Sequence, residues 1–428
     1  MKPSKYNHTA ANGDGNIILY NTNSDQILIV SPQLADLWKQ HQNTVARIAT
    51  IHPAFYDALQ KKGFILDDET NETADLIDSW VKQLSDESQL KLTINPTLDC
   101  NFRCWYCYEE HKSDMHMNAA TLEAIRKFIY KQCRSEKISH VNLSFFGGEP
   151  LIHADDIVIP LIKETSEICQ TASKSCRIEF TTNAYLLTPE TIDRIKAITN
   201  KAFFQITLDG NETLHNKTRF TTEKEGSYKA IVNHILYALQ NEMDVSIRIN
   251  YTSKNINTLP DILDDFEPIK DSEHYYFDFH KVWQAPGSET LDNEVRHVKS
   301  IFRDKGFKVR TDSQSMKTHC YADHKNCIVI NYNRDIYKCT ARDFKKHNCI
   351  GTLSPEGDIH ISPDYTDNLH QRYERPICYD CIIFPICQAG CSQDKIENPE
   401  ANQCLRRYDN KTKEKIITER ILELTAKQ

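Results

Sequence analysis

The chain has 428 residues and a formal net charge of -8, long enough for about three domains and too acidic to offer a phosphate backbone a basic field. No apolar run is long enough to span a bilayer, and the first, Ile17 to Tyr20, is too short for a signal-peptide core; a cytoplasmic protein partnered by neither nucleic acid nor membrane is expected. The 15 cysteines are an odd number, none precedes Cys100 and nine lie between Cys320 and Cys404, which argues against a secreted disulfide framework and for dedicated metal ligation.

Residues 1–85 read as a small α+β module. Ile17 to Tyr20 and Gln26 to Val30 are strand-like around the turn-forming Asn21 to Asp25, which predicts a hairpin. Pro32 to His41 and Pro53 to Lys62 have helical spacing, with Gly63 as a C-cap. The acidic residues between Asp67 and Asp78 read as a linker.

From residue 86 to 312 strands and helices alternate, which predicts a parallel α/β sheet or partial barrel. The strands are Lys91 to Thr97, His140 to Phe146, Arg177 to Thr182, Ala202 to Leu208, Val245 to Thr252 and Tyr275 to His280; helices include Ala119 to Lys131, Pro189 to Ile198, Ser227 to Gln240 and Thr258 to Asp265. Six units fit an incomplete (β/α)6 barrel, whose chemistry belongs at the carboxyl ends of the strands.

Directly after the first strand comes Cys100-Asn-Phe-Arg-Cys104-Trp-Tyr-Cys107. Three thiolates can hold three corners of a cubane iron-sulfur cluster and leave one iron open, whereas zinc would need a fourth ligand, for which His111 is nearest. After the second strand, Gly147 and Gly148 would let backbone approach a ligand closely, and Glu149 can accept from an amine. Thr181-Thr182-Asn183 and Thr207-Leu208-Asp209-Gly210 end the third and fourth strands, ahead of His215 and Arg219. Arg248, on the fifth, is placed to pair with a carboxylate or to form an ordinary ion pair.

Residues 313–428 lose the alternation, and only Lys411 to Ala426 reads as an amphipathic helix. Cys320, Cys327, Cys339, Cys378, Cys381, Cys387, Cys391 and Cys404 are eight candidate ligands, enough for two closed cubanes; zinc ribbons are the alternative, though only Cys378 and Cys381 have knuckle spacing. Cys133, Cys169 and Cys176 fall where Cys behaves as a small hydrophobe, and Cys349 has no assignment.

The C-x3-C-x2-C loop with Tyr106, the Gly147-Gly148-Glu149-Pro150 segment and the strand ends at Asn183 and Asp209 resemble the radical S-adenosylmethionine superfamily. That resemblance implies a 4Fe-4S cluster on Cys100, Cys104 and Cys107 whose open iron chelates S-adenosylmethionine, cleaved to a 5'-deoxyadenosyl radical that takes a substrate hydrogen. Tyr106, Gly147, Gly148, Glu149, Asn183, Asp209 and Arg248 are then the expected cofactor contacts. The tail resembles a SPASM domain, which implies two auxiliary 4Fe-4S clusters: an inner one on Cys320, Cys327, Cys339 and Cys391, and an outer one on Cys378, Cys381, Cys387 and Cys404. Ala184, Arg334 and Ala389 stand where these families usually carry Gly.

The combination implies a maturase of ribosomally made precursor peptides that installs a crosslink, thioether, epimerisation or related oxidation, supplied by a one-electron donor of flavodoxin or ferredoxin type. Residues 1–85 would recognise the leader, by strand addition to the hairpin, or merely cap the barrel. An anaerobic sulfatase-maturating enzyme making formylglycine is the alternative; there an Asp follows the third auxiliary ligand, whereas Thr340 follows Cys339 here. A non-catalytic iron-sulfur electron carrier is a third possibility, against which the intact cluster loop argues. No catalytic base is distinguished: Asp323 and Asp343 lie near auxiliary ligands without a pattern.

Overall fold

The computed structural model describes residues 1–311, 319–363, 365, 372–398 and 403–425, which pack as two compact units. Met1–Ser85, Thr311–Asp323 and Asp367–Gln428 make up the first; Asp86–Arg310 and His324–Thr366 make up the second. Residues 313–428 thus contribute to both units, and the expected boundary at 312/313 lies outside the described residues.

The first unit opens with β1 (Lys2–Pro3), β2 (Asn7–Ala11), β3 (Ile17–Asn21) and β4 (Gln26–Val30), then α1 (Pro32–His41), α2 (Ala46–Ile51), α3 (Pro53–Lys61), β5 (Ile65–Leu66) and α4 (Glu72–Leu84). β1 pairs with β5, while β2, β3 and β4 form an antiparallel sheet with β3 in the middle. The predicted hairpin is therefore present, and Gly63 takes φ +75° after α3.

The expected linker is instead α4. Asn71 caps it by accepting from the Ala74 amide, and Glu72 and Asp75 sit in the first turn, where the helix dipole favours negative charge. Acidity there marks a helix start, and Trp80 and Leu84 anchor the helix by burial.

In the second unit β6 (Gln89–Ile94), α5 (Ala119–Arg134), β7 (His140–Phe145), α6 (Ile159–Thr171), β8 (Ser175–Thr182), α7 (Pro189–Ile198), β9 (Ala202–Leu208), α8 (Glu212–Thr218), α9 (Tyr228–Gln240), β10 (Asp244–Tyr251), α10 (Leu263–Phe266), β11 (Tyr275–Lys281) and α11 (Glu289–Asp304) follow in order. The six strands β6 to β11 are parallel and adjacent in chain order, the open (β/α)6 arrangement expected. Leu92, Ile94, Leu143, Phe145, Phe180, Phe204, Ile206 and Ile247 fill its core. The helix expected over Thr258 to Asp265 is a 3-10 run, Ile256–Ile262, leading into α10, because Pro260 lies inside it and supplies no amide.

The sheet does not stop at β6. β12 (Cys327–Ile330) pairs parallel to it, and β13 (Asp335–Tyr337), β14 (Gly351–Leu353) and β15 (Ile359–Ile361) continue as an antiparallel meander, ten strands in all. The loss of alternation past residue 313 therefore hid four short strands. The tail of the first unit holds α12 (Pro376–Tyr379), α13 (Phe384–Cys387), α14 (Ser392–Glu397) and α15 (Asn410–Thr425). Within that unit Ile18, Tyr20 and Ile27 pack on Ile383, Ile386, Ile416, Ile417 and Ile421, and Arg420 donates to Asp25 at 3.0 Å.

Candidate active site at the cluster loop

The loop from Pro96 to Met117 leaves the carboxyl end of β6 and carries Cys100, Cys104 and Cys107. Its base is held by backbone: Gly148 donates to the Thr97 carbonyl at 3.1 Å and Glu149 to that of Asp99 at 2.9 Å. A Cβ on Gly147 would lie 2.2 Å from the Thr97 oxygen, and one on Gly148 would lie 2.0 Å from the Asp99 oxygen. The close approach that these glycines permit is thus to the root of the cysteine loop. Neither contact tolerates a side chain, because the opposing atoms are main chain.

Glu149 is fully buried. Its carboxylate accepts from the Leu151 amide at 3.0 Å, the Thr182 hydroxyl at 2.8 Å and the Asn183 amide at 2.7 Å, tying the end of β7 to that of β8. Burial raises its pKa above the usual carboxylate range, and those three donors oppose the shift. A carboxylate has about four acceptor positions, so one remains for a further donor. Asn183 donates to the Asn101 side chain at 2.7 Å and lies 3.8 Å from the Cys100 sulfur.

Tyr106 is the hub of the site. Its hydroxyl donates to Asp209 Oδ2 at 2.6 Å and accepts from Arg219 at 2.9 Å and from Asn250 at 3.2 Å. Its main-chain oxygen accepts from Gln284 at 2.7 Å, and Arg248 donates to Asn250 Oδ1 at 3.0 Å. One tyrosine thus joins the cysteine loop to the carboxyl ends of β9, β10 and β11. Burial, then the neighbouring Asp209 carboxylate, pushes the phenol well above its ordinary range, so it stays a donor.

Around the hub, polar atoms are buried without partners: Asp209 Oδ1, Arg219 Nε and Asn101 Nδ2. Such groups cost about 1–3 kcal/mol each when nothing meets them, which is expected where a polar ligand completes the site. Burial raises Asp209, and Arg219 opposes the shift. His215 is fully buried, accepts from the Asp209 amide at 3.3 Å and faces Ser227 Oγ at 3.0 Å; burial and Arg219 hold it neutral. It is a positioning group.

Burial raises the Cys100 thiol, with Glu149 adding to the shift, and raises Cys104 against the opposing charge of Arg219. Desolvated thiols of this kind become thiolates when iron replaces the proton. Cys107 faces His111 Nε2 at 3.2 Å, while His111 Nδ1 meets the Leu98 carbonyl at 2.7 Å. Among the described residues no three His, Cys, Asp or Glu side chains gather closely enough to hold a single metal ion, as a tetrahedral zinc would require. A cubane takes one thiolate per iron, so its cysteines surround a volume instead of converging on a point. The loop and its unpaired polar surroundings fit that group.

In the first unit Cys378, Cys381, Cys387 and Cys404 lie within electrostatic reach of one another: burial pushes the Cys387 thiol up to about 11, with Arg406 opposing and the other three adding. Of the remaining expected auxiliary ligands, Cys320 and Cys391 belong to the first unit, Cys327 and Cys339 to the second. Asp323 is buried in an ion pair with Arg372 at 2.7 Å, and Asp343 accepts from Asn348 at 2.8 Å. Asn250, Gln284 and Asn101 were not singled out from sequence; the strand-end position of Asn250, two residues after Arg248, was the available signal.

Residues 94–266 match the radical SAM superfamily. A cysteine-type anaerobic sulfatase-maturating enzyme of Clostridium novyi is 23% identical over 347 residues, covering 72% of this chain and 89% of that protein. A GTP 3',8-cyclase of Clostridium perfringens is 29% identical over 182 residues, 41% of this chain and 47% of the cyclase. Among solved structures, anSMEcpe with bound AdoMet and the Kp18Cys peptide superposes with a TM-score of 0.60 at 15% identity, over 79% of this chain and 100% of that one. Streptococcus suis SuiB bound to its precursor peptide SuiA gives 0.52 at 15% identity, over 95% and 100%. No helix among the described residues is long and apolar enough to cross a membrane. The family implies one 4Fe-4S cluster and S-adenosylmethionine, and the enzyme to which residues 94–266 belong is a radical SAM enzyme.

Proposed function

We propose that the chain is a radical SAM maturase acting on a ribosomally made precursor peptide. The observation that carries this is coverage: the fold likeness to the peptide-bound SuiB structure takes in 95% of this chain, against 79% for the sulfatase-maturating structure. Residues 1–85 are the proposed recognition module. β2 already pairs with β3, so the edge of the hairpin left for an added strand is β4.

Cys100, Cys104 and Cys107 would hold the cluster, and the bound group supplies an electron-driven hydrogen abstraction. The rest is done by the chain. Tyr106 fixes the cysteine loop against β9 and β10; Arg219 sets a positive charge beside Cys104; the open atoms of Asp209 and Arg219 offer an acceptor and a donor to a polar cofactor; Glu149 keeps one acceptor position for an ammonium group. Exposed Trp105, Tyr108 and Trp283 rim this end of the sheet, with Tyr108 and Trp283 stacked at 6.3 Å. Two auxiliary clusters are proposed on the inner and outer cysteine sets, fed by an external flavodoxin- or ferredoxin-type donor. A cytoplasmic location fits that donor.

The sulfatase-maturating alternative is favoured by the relative matching 72% of the chain. Two incubations separate the readings, each with anaerobically reconstituted full chain, S-adenosylmethionine and dithionite. Short peptides encoded beside the gene should change mass under turnover, while a sulfatase-derived Cys peptide should not. Conversion of the Cys peptide to formylglycine, with the neighbouring peptides unchanged, overturns the proposal.

A further inference from the structure

Three thiols outside all three proposed ligand sets lie together in the second unit. Cys133, in the last turn of α5, and Cys169, in the last turn of α6, bring their sulfurs to 3.6 Å. Cys176, the second residue of β8, is in hydrogen-bond contact with both Cys169 and Ser166. Cys169 therefore touches both of the others. Exposure is graded along the row: Cys133 is 0% and Cys169 1% exposed, whereas Cys176 is only partly buried.

A buried cysteine alone is an ordinary small hydrophobe. Three in contact, with one end open, have chemistry that Ala or Val would not have. The contact with Cys169 lowers both flanking thiols, Ser166 assists at Cys176, and Lys174 adds a positive charge near Cys133. The same contacts push the central Cys169 thiol up. Lys174 is held there by donating to the carbonyls of Ser135 and Ile138. A lowered, accessible thiol beside a resolving thiol is the environment in which cysteines react with peroxides.

We propose that Cys176, Cys169 and Cys133 form a thiol relay that takes hydrogen peroxide at Cys176 and stores its two oxidising equivalents as a sheltered Cys133–Cys169 disulfide. In the first step the Cys176 sulfur attacks the O–O bond, becoming a sulfenic acid as one water leaves. Cys169 then displaces the sulfenic oxygen, forming a Cys169–Cys176 bond and releasing a second water. Finally the Cys133 sulfur attacks Cys169; Cys176 leaves as a thiolate and takes the proton that Cys133 gave up. Two thiols are oxidised and one peroxide is reduced to water. Once formed, the bond joins the two buried sulfurs and lies out of reach of reductants.

The test uses the full reconstituted chain without substrate or S-adenosylmethionine, treated anaerobically with hydrogen peroxide, alkylated with N-ethylmaleimide and digested without reduction. Mass spectrometry should find peptides joining Cys133 to Cys169. Cys176→Ser should slow that link about tenfold or more, since the peroxide-accepting thiol is gone. Cys133→Ser should stop the sequence at a Cys169–Cys176 link. Failure to find any peptide linked through Cys169, at peroxide levels that bleach the clusters, overturns the relay. So does an unchanged rate of Cys133–Cys169 formation in Cys176→Ser. If Cys133→Ser does not fold, the wild type and the partly exposed Cys176 variant still decide.

Discussion

The second unit contains two cysteine trios, and they stand at opposite ends of one sheet. Cys176 begins β8 with Cys133 and Cys169 beside it; Asn183 follows the far end of the same strand, with its amide 3.8 Å from the Cys100 sulfur. At the amino end the thiols touch one another, with Cys133 and Cys169 buried on helices and Cys176 partly exposed. At the carboxyl end Cys100, Cys104 and Cys107 ride a loop, beside a tyrosine hub and polar atoms left open for a ligand. The number and type of side chain are equal at the two ends. Position on the sheet makes the difference, because strand ends aim loops and their unpaired groups at one face.

The largest expected effect separates the trios. Cys104→Ala should reduce 5'-deoxyadenosine formation to background and lower the iron and sulfide content, whereas Cys133→Ala should leave both intact and cost only about 1 kcal/mol of stability for a small lost contact. Assay of anaerobically purified variants decides; full product formation by Cys104→Ala would remove the contrast.

Gly148→Ala comes next. The added methyl would sit 2.0 Å from the Asp99 carbonyl oxygen, and main chain must move to admit it, at a cost of about 3 kcal/mol. Because Asp99 precedes Cys100, the unfolding midpoint and the iron content should fall together. A fall in stability with full iron loading would show that the loop root can shift without disturbing the ligands.

Tyr106→Phe keeps the ring and deletes the hub. Asp209, Arg219 and Asn250 each lose a partner, and second-layer losses of this kind cost about 10- to 100-fold in activity. The loss should appear in 5'-deoxyadenosine formation with cluster content unchanged. Equal activity would mean that the three groups hold their places without the phenol.

The parallel strands were readable because each is a short apolar run bounded by turn residues, and the cluster loop because ligand spacing is local. Two features escaped for physical reasons. β12 pairs with β6 through contacts such as Asn95 to Asn331 at 3.2 Å, 236 residues apart, and no local periodicity encodes that. Asp67 to Asp78 looked like solvated linker because acidity alone does not distinguish a loop from a helix start; Asn71, as cap, and Trp80, as anchor, carried the missing information. The Tyr106 hub was half legible: the tyrosine and Asp209 lie in motifs, while Asn250 joins them only once the sheet is assembled.

The smallest effect concerns the places where this chain departs from Gly. Ala184, Arg334 and Ala389 all adopt left-handed backbone, with φ of +62°, +71° and +62°, the conformation that favours glycine. For a residue with a Cβ this conformation costs about 1–2 kcal/mol. Glycine would remove that cost but would enlarge the entropy of the unfolded chain by about 0.4–1 kcal/mol. At Ala184 the side chain is fully buried, so a methyl contact is also lost. The terms nearly cancel there, and Ala184→Gly should change stability by less than about 1 kcal/mol. Arg334 is not fully buried, so only the first two terms apply and Arg334→Gly should be the more stabilising of the pair. Denaturation of both variants ranks them; the reverse order would mean that Arg334's side chain, not its backbone, governs that turn.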